Sequence, residues 1–160
     1  MPEPVYSFVI PVYNEAETLP ALEERLLQLF ELMDGPTEVV FVDDGSTDGS
    51  WHLIEGIVRR DPRFGAVGFS RNFGHQVAIT AGLDHAGGEA VVVMDADLQD
   101  PPEVVLEMAA RWREGFDIVY AVRDERSGET RFKEFTAAAF YRVFRRLTDI
   151  EIPIPVNIAT

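Results

Sequence analysis

Apolar residues follow two rhythms along this chain, short unbroken runs and stripes at helical spacing, and their alternation predicts the architecture. Runs of β-favouring residues lie near 5–11, 37–43, 65–69, 89–95 and 116–122, with helical patterns near 16–33, 47–60, 73–86 and 102–114. That βαβα order implies an α/β fold with a mainly parallel sheet and helices on both faces. In the first helical stretch Leu19, Leu22, Leu26, Leu29, Phe30 and Met33 recur every three or four residues, which assigns them to the core. Asp34-Gly35-Pro36 then stops the helix. The run Ala90-Val91-Val92-Val93-Met94 reads as a strand buried on both faces, and such strands are usually central. No repeat, linker or low-complexity stretch divides the chain, which predicts a single domain over residues 1–160.

Polar residues cluster where the predicted strands end. The run from Ala90 empties into Asp95-Ala96-Asp97-Leu98-Gln99-Asp100-Pro101-Pro102-Glu103, which sets two carboxylates one residue apart and an amide side chain at a strand terminus. Oxygen donors of this kind suit Mg²⁺ or Mn²⁺, cations that keep waters and bridge to phosphates. Pro101-Pro102 opens the next helix, and Glu103 reads as a favourable charge in its first turn. An acidic loop that only caps this helix is the simpler alternative. Two further strands deliver polar groups in the same way: Ser7–Val12 runs into Tyr13-Asn14-Glu15, and Val39–Val42 runs into Asp43-Asp44-Gly45-Ser46-Thr47-Asp48-Gly49. In an open parallel sheet these ends share one edge, where ligands bind.

Composition narrows the class. A chain of 160 residues with 46% hydrophobic content can bury one substantial core. It contains no cysteine, so no disulfide framework is available. No stretch approaches the roughly 18 apolar residues that a membrane span needs, and no signal peptide is evident. The net charge of −14 is unevenly placed: residues 1–122 carry 22 acidic and 7 basic side chains, residues 123–146 only 4 acidic and 7 basic. An acidic body argues against nucleic-acid binding, and the basic segment suits phosphates. Arginine supplies 13 of the 14 basic residues, and its planar fork matches phosphate oxygens.

Four segments in register, PVYNE at 11–15, VDDGSTDGS at 42–50, SRNFGHQ at 70–76 and DADLQDPPE at 95–103, resemble the family-2 glycosyltransferases of the GT-A fold. The resemblance covers about Tyr6 to Arg146. It is strongest to the branch that moves a hexose from a nucleotide sugar to a polyprenyl phosphate, as dolichol-phosphate mannose synthases and bactoprenol glucosyltransferases do. It implies a nucleotide-sugar-binding core over 1–122, followed by a basic acceptor loop and an amphipathic helix over 123–148. Pro11, Tyr13, Glu15, Val42 and Asp44 would line the base and ribose, with Asp44 accepting from a base N–H and Glu15 from a ribose hydroxyl. An Asx turn or helix cap is the alternative for Asp44; Asp43 carries no assigned role. Asp95, Ala96, Asp97 and Gln99 would meet the diphosphate, with Asp95, Asp97 and Gln99 as ligands of Mg²⁺ or Mn²⁺. Arg71 and Asn72 either reach the sugar nucleotide or fix their loop.

Arg123, Arg131 and Lys133, with Arg126 less central, would gather around the acceptor phosphate; a solvated loop with local ion pairs is the plainer reading. A phosphate acceptor is already anionic, so attack at the anomeric carbon needs little or no general base. Asp97 is then the side chain on which catalysis leans most, and a single in-line displacement with inversion is expected. Phe132, Phe135, Ala138, Ala139, Phe140, Val143, Phe144 and Leu147 make an amphipathic stripe that either lies in a membrane interface or packs on the domain's own sheet. The resemblance places the protein at the cytoplasmic face of a membrane and leaves UDP and GDP donors equally open. Relatives continue past the position of Thr160 into a Gly-Asp-Phe-like motif, which implies a truncated chain that binds donor and transfers sugar poorly or not at all. Two other classes are carried: a non-catalytic nucleotide-sugar-binding domain, and a haloacid-dehalogenase-type phosphohydrolase with the first Asp of Asp-x-Asp as nucleophile. Leu98-Gln99 and a position deep in the chain fit the latter poorly.

Overall fold

The computed structural model describes residues 3–98 and 104–121. Eight elements follow in strict alternation: β1 Tyr6–Val12, α1 Leu19–Phe30, β2 Thr37–Asp43, α2 Ser50–Arg60, β3 Phe64–Gly68, α3 His75–His85, β4 Ala90–Val93 and α4 Val104–Arg113. All described strand pairs are parallel, and the order across the sheet is β3-β2-β1-β4. Glycines and prolines bound these elements as expected: Pro20 falls in the first turn of α1, and Gly49 and Gly74 immediately precede α2 and α3.

Period-two alternation sorts the strand side chains between two layers. Tyr6, Phe8, Ile10, Val39, Phe41 and Val92 join Leu19, Leu22, Leu26, Leu29, Phe30, Ile54, Ile57 and Val105 in the larger core, under α1, α2 and α4. The predicted stripe of α1 is buried as read, with Met33 partly buried against it. Phe8, Phe30, Phe64 and Phe41 form a chain of ring contacts at 5.7, 5.8 and 5.9 Å, close to the separation aromatic pairs prefer. On the opposite face α3 packs over Val40 and Val42 through Ala78. Helices therefore cover both faces.

The most apolar run is not a central strand of the described sheet. β1 is buried along its whole length, whereas β4 lies at an edge of the described sheet with Val91 40% and Val93 44% exposed. The expectation of burial on both faces fails for these valines, which the register sets level with Ser7 and Val9 on the α3 face, while Ala78 and Gly82 of α3 pack over Val40, Val42 and Val9. β1 can be central despite a polar residue because the Ser7 hydroxyl donates to Glu38 at 2.5 Å and accepts from the Gly88 N–H at 2.7 Å. Pro11 fits as well. Val5 and Val9 direct their carbonyls to the β4 side, accepting from Ala90 and Met94, and Val12 directs its own to Asp44 of the β2 side. By that alternation the N–H that Pro11 lacks would face β4 beyond Val93, where the ladder has already ended.

The strand expected at 116–122 does not form in its described part, residues 116–121. Gly115, at φ +100°, and Phe116 fold back to carbonyls of α4, and a cavity of about 160 Å³ lined by Ala90, Val92, Phe116 and Val119 intervenes beside β4. The apolar pattern is present, but residues 116–121 pair with no strand among the described residues. The elements from β1 to α4 belong to one unit, Met1–Val119. At the far end from the strand carboxyl termini, the Tyr6 hydroxyl donates to Asp34 at 2.6 Å and the Arg113 guanidinium donates to the same carboxylate at 3.2 Å. Burial, reinforced by that hydrogen bond, raises the Tyr6 pKa above its ordinary value.

Gly82 sets how closely α3 approaches the sheet, since a Cβ there would stand 2.2 Å from Val9 Cγ1 and 3.2 Å from Val42 Cγ2. Val9 and Val42 are fully buried and have nowhere to move. Gly82→Ala is expected to destabilise the fold by about 1–3 kcal/mol through overpacking. A urea-denaturation midpoint equal to that of the unaltered chain would count against this packing.

Candidate functional site

The carboxyl ends of β1, β2 and β4 meet at one edge, and the loops leaving the first two lock onto each other. The Asn14 N–H donates to Ser46 Oγ at 2.9 Å, and Asn14 Oδ1 accepts from the Thr47 N–H at 2.8 Å. Asn14 adopts φ +56°, a left-handed conformation that asparagine tolerates better than most residues. Asp48 accepts from the Ala16 N–H at 3.0 Å and from the Ser50 N–H and hydroxyl at 3.0 and 2.6 Å, while Ser50 Oγ accepts from the Glu15 N–H at 2.9 Å. The two sequence motifs thus hold one another as well as facing solvent. The Ser50 hydroxyl, followed by the Ala16 N–H, keeps the Asp48 carboxyl below its ordinary value.

Asp44 is the pivot of the second lock. Only 3% exposed, it accepts from the Phe73 N–H at 2.7 Å and from the Gly74 N–H at 3.0 Å, one bond to each oxygen. Such charge-assisted bonds are what allow a carboxylate to be buried. Gly45, at φ +72°, lies so close to the backbone of Arg71 and Asn72 that a Cβ would come within 2.4 Å of the Arg71 carbonyl carbon. Asp44 thus holds the distant loop that leads into α3, which is neither the Asx turn nor the cap of its own following helix weighed for it. Asp43 is equally buried; its Oδ2 accepts from the Ser46 N–H at 3.2 Å, and its Oδ1 has no hydrogen-bond partner among the described residues.

These locks enclose a cavity of about 210 Å³ lined by Pro11, Val12, Tyr13, Asp44, Asn72, Gly74, His75 and Ala78. Three of the sequence-predicted nucleoside residues, Pro11, Tyr13 and Asp44, come together there. Val42 is fully buried, and its side chain belongs to the core beneath α3. Glu15 stands outside the lining, with Oε2 accepting from the Thr18 hydroxyl at 2.7 Å. Arg71 holds its guanidinium 4.8 Å over the Phe73 ring. His75, which sequence reasoning passed over, lines the cavity and brings Nε2 to 3.7 Å from Asp95 Oδ1. Its position immediately after Gly74, at a helix start, is the signal that could have singled it out.

Asp95 and Asp97 are both exposed on the turn after β4, separated by the buried Ala96. Leu98 follows at φ +57°, an unusual conformation for a non-glycine residue and one that turns the chain sharply. Two exposed carboxylates on one tight turn suit a hard divalent cation that takes its remaining ligands from phosphate and water. Among the described residues no group of three His, Cys, Asp or Glu side chains is gathered as a metal site. Gln99, Glu103, Arg123, Arg126, Arg131, Lys133 and the amphipathic stripe from Phe132 to Leu147 lie outside the described residues. No described helix is long and apolar enough to cross a membrane.

Comparison with known proteins gives this edge a context. The model of the family described as "Glycosyl transferase family 2" matches residues 7–160. The chain is 52% identical over 149 residues to the uncharacterized glycosyltransferase YkcC of Bacillus subtilis (strain 168), covering 93% of this chain and 46% of that protein. It is 40% identical over 146 residues to the bactoprenol glucosyl transferase of Shigella phage SfV, covering 91% and 48%. The chain thus spans about half the length of these curated relatives. Among solved structures, the mannosyltransferase PcManGT from Pyrobaculum calidifontis, in complex with GDP-Man and Mn²⁺, aligns with TM-score 0.59 at 32% identity over 78% of this chain and 37% of that one. S. aureus TarS in complex with UDP-GlcNAc aligns with TM-score 0.57 at 25% identity, over 78% and 38%.

The lowered Asp48 pKa makes the loop lock sensitive to acid. A depressed folded-state pKa contributes stability that is complete above the unfolded value, ordinarily 3.8, and is lost as the pH falls through the folded value. The thermal midpoint of the unaltered chain is expected to exceed that of Asp48→Asn at neutral pH, and the gap to narrow as the pH falls from about 5 to about 3. A gap independent of pH would assign the difference to packing instead of charge.

Proposed function

This chain belongs to glycosyl transferase family 2, and from that membership we propose that the described unit is the donor site of an inverting transferase acting on a polyprenyl phosphate. The observation that carries the reading is the cavity bounded by Pro11, Tyr13 and Asp44, with Asp95 at 3.7 Å from His75 on its rim. Donor complexes of the solved neighbours, with GDP-Man and Mn²⁺ and with UDP-GlcNAc, support a nucleotide-sugar ligand at this edge. The bactoprenol glucosyl transferases among the relatives support a lipid phosphate as acceptor. The haloacid-dehalogenase alternative falls with the family assignment.

In this reading the base and ribose enter between Pro11 and Tyr13. The two oxygens of Asp44 retain lone pairs beyond the bonds to Phe73 and Gly74, so the same carboxylate can position the α3 entry and accept from a base N–H. The side chain of Glu15, tied on one oxygen to Thr18, keeps its other oxygen for a ribose hydroxyl. Asp95 and Asp97, with Gln99, would hold Mg²⁺ or Mn²⁺, whose charge would offset that of the departing nucleoside diphosphate. Arg123, Arg131 and Lys133 would hold the acceptor phosphate. That anion needs no proton removed before attack, so Asp97 contributes by orienting the donor, and positioning carries the rate.

A nucleotide-sugar-binding domain without transfer is the second reading, since the cavity lies among the described residues whereas Arg123, Arg131 and Lys133 lie outside them. Sugar transfer to a polyprenyl phosphate, assayed with radiolabelled donor, separates the two.

Calorimetric titration with UDP and with GDP, each with and without Mn²⁺, tests the donor site directly. Binding of one nucleotide that depends on Mn²⁺ and weakens at least about tenfold in Asp97→Ala is expected. No binding of either nucleotide would overturn the reading.

A further inference from the structure

We propose that His75 is a donor-binding residue whose imidazole contacts the diphosphate of the nucleotide sugar, joining the nucleoside cavity to the Asp95–Asp97 turn. The inference rests on the donor-site reading above and deepens it. His75 lines the cavity on one side and brings Nε2 to 3.7 Å from Asp95 Oδ1 on the other. A ligand with its nucleoside in that cavity and its diphosphate reaching the Asp95–Asp97 turn must run past this ring.

The imidazole is not committed to another task. At 3.7 Å its approach to Asp95 is too long for a hydrogen bond. Asp95 is its only polar partner among the described residues, and the side chain is 54% exposed, so it is not a core residue. Its position is nevertheless well defined, because the Phe73 and Gly74 N–H groups are held by the buried Asp44 immediately before it. The surroundings also call for a donor group. Asp44, Asp95 and Asp97 make this edge acidic, and a diphosphate entering it needs N–H groups as well as a cation. A hydrogen bond to a phosphate oxygen would supply one without depending on the identity of the base.

The test is calorimetry of UDP and GDP in the presence of Mn²⁺, with uridine and guanosine binding followed by ligand-observed NMR. It compares the unaltered chain with His75→Ala and His75→Leu, both of which remove the donor while leucine keeps bulk. Loss of roughly tenfold or more in affinity for the nucleoside diphosphate, with the nucleoside unaffected, is expected of both variants. Either one suffices if the other fails to fold by circular dichroism. Equal loss for nucleoside and diphosphate, full affinity retained in both variants, or affinity retained by leucine alone would overturn the contact while leaving the donor site standing. An unaltered chain that binds no nucleotide would overturn the donor-site reading and this inference with it.

Discussion

A charge that has left water must find its hydrogen bonds in the protein, and at Asp44 this requirement organises the whole edge. The carboxylate sits at the end of β2 with almost no exposure, and its donors come from Phe73 and Gly74, some thirty residues later in the chain. Satisfying it fixes where α3 begins. That choice in turn sets Asn72 and His75 on the cavity wall and brings the Arg71–Asn72 backbone against Gly45. Shape and charge at the edge thus follow from one buried group.

The lock between the loops after β1 and β2 answers a different need. Loops at the end of a parallel sheet have no ladder of their own, so their N–H groups must find side-chain acceptors. Asn14, Ser46, Asp48 and Ser50 provide them across the gap. Much of the polar content of these motifs is spent on mutual support, which leaves Pro11, Tyr13 and Asp44 at defined positions. This is the preorganisation that a binding site on loops needs and that loops alone do not have.

Local rhythm made the strands and helices readable, and the strand ends bring the candidate polar residues Tyr13, Asp44 and Asp95 to one edge. Leu19, Leu22 and Leu26 declare their face by spacing alone, and Asp44, Asp95 and Tyr13 by following apolar runs. Sheet order was not readable in the same way. Ser7 and Pro11 make β1 look less buried than β4, yet the hydroxyl of Ser7 is satisfied by residues far along the chain and Pro11 falls where its missing N–H has no partner to lose. The segment after Gly115 carries a strand's composition, but pairing depends on a neighbour that composition does not specify. His75 escaped notice because its relevance is purely spatial: a lone exposed histidine gains meaning only from the cavity and the carboxylate beside it.

The order β3-β2-β1-β4 has a consequence for how the chain comes together. Tyr6 pairs with Thr37 on one side and with Ala90 on the other, so the central strand acquires its two neighbours at very different sequence separations. During synthesis β1, β2 and β3, with α1 and α2, emerge and can condense while β4 is still unmade, leaving one side of β1 open. The last described strand then closes the longest loop of the described sheet, the pairing with the largest loop-closure cost. The Asp95–Asp97 turn is carried in with it, so this edge is complete only when the pairing of longest sequence separation in the described sheet is made.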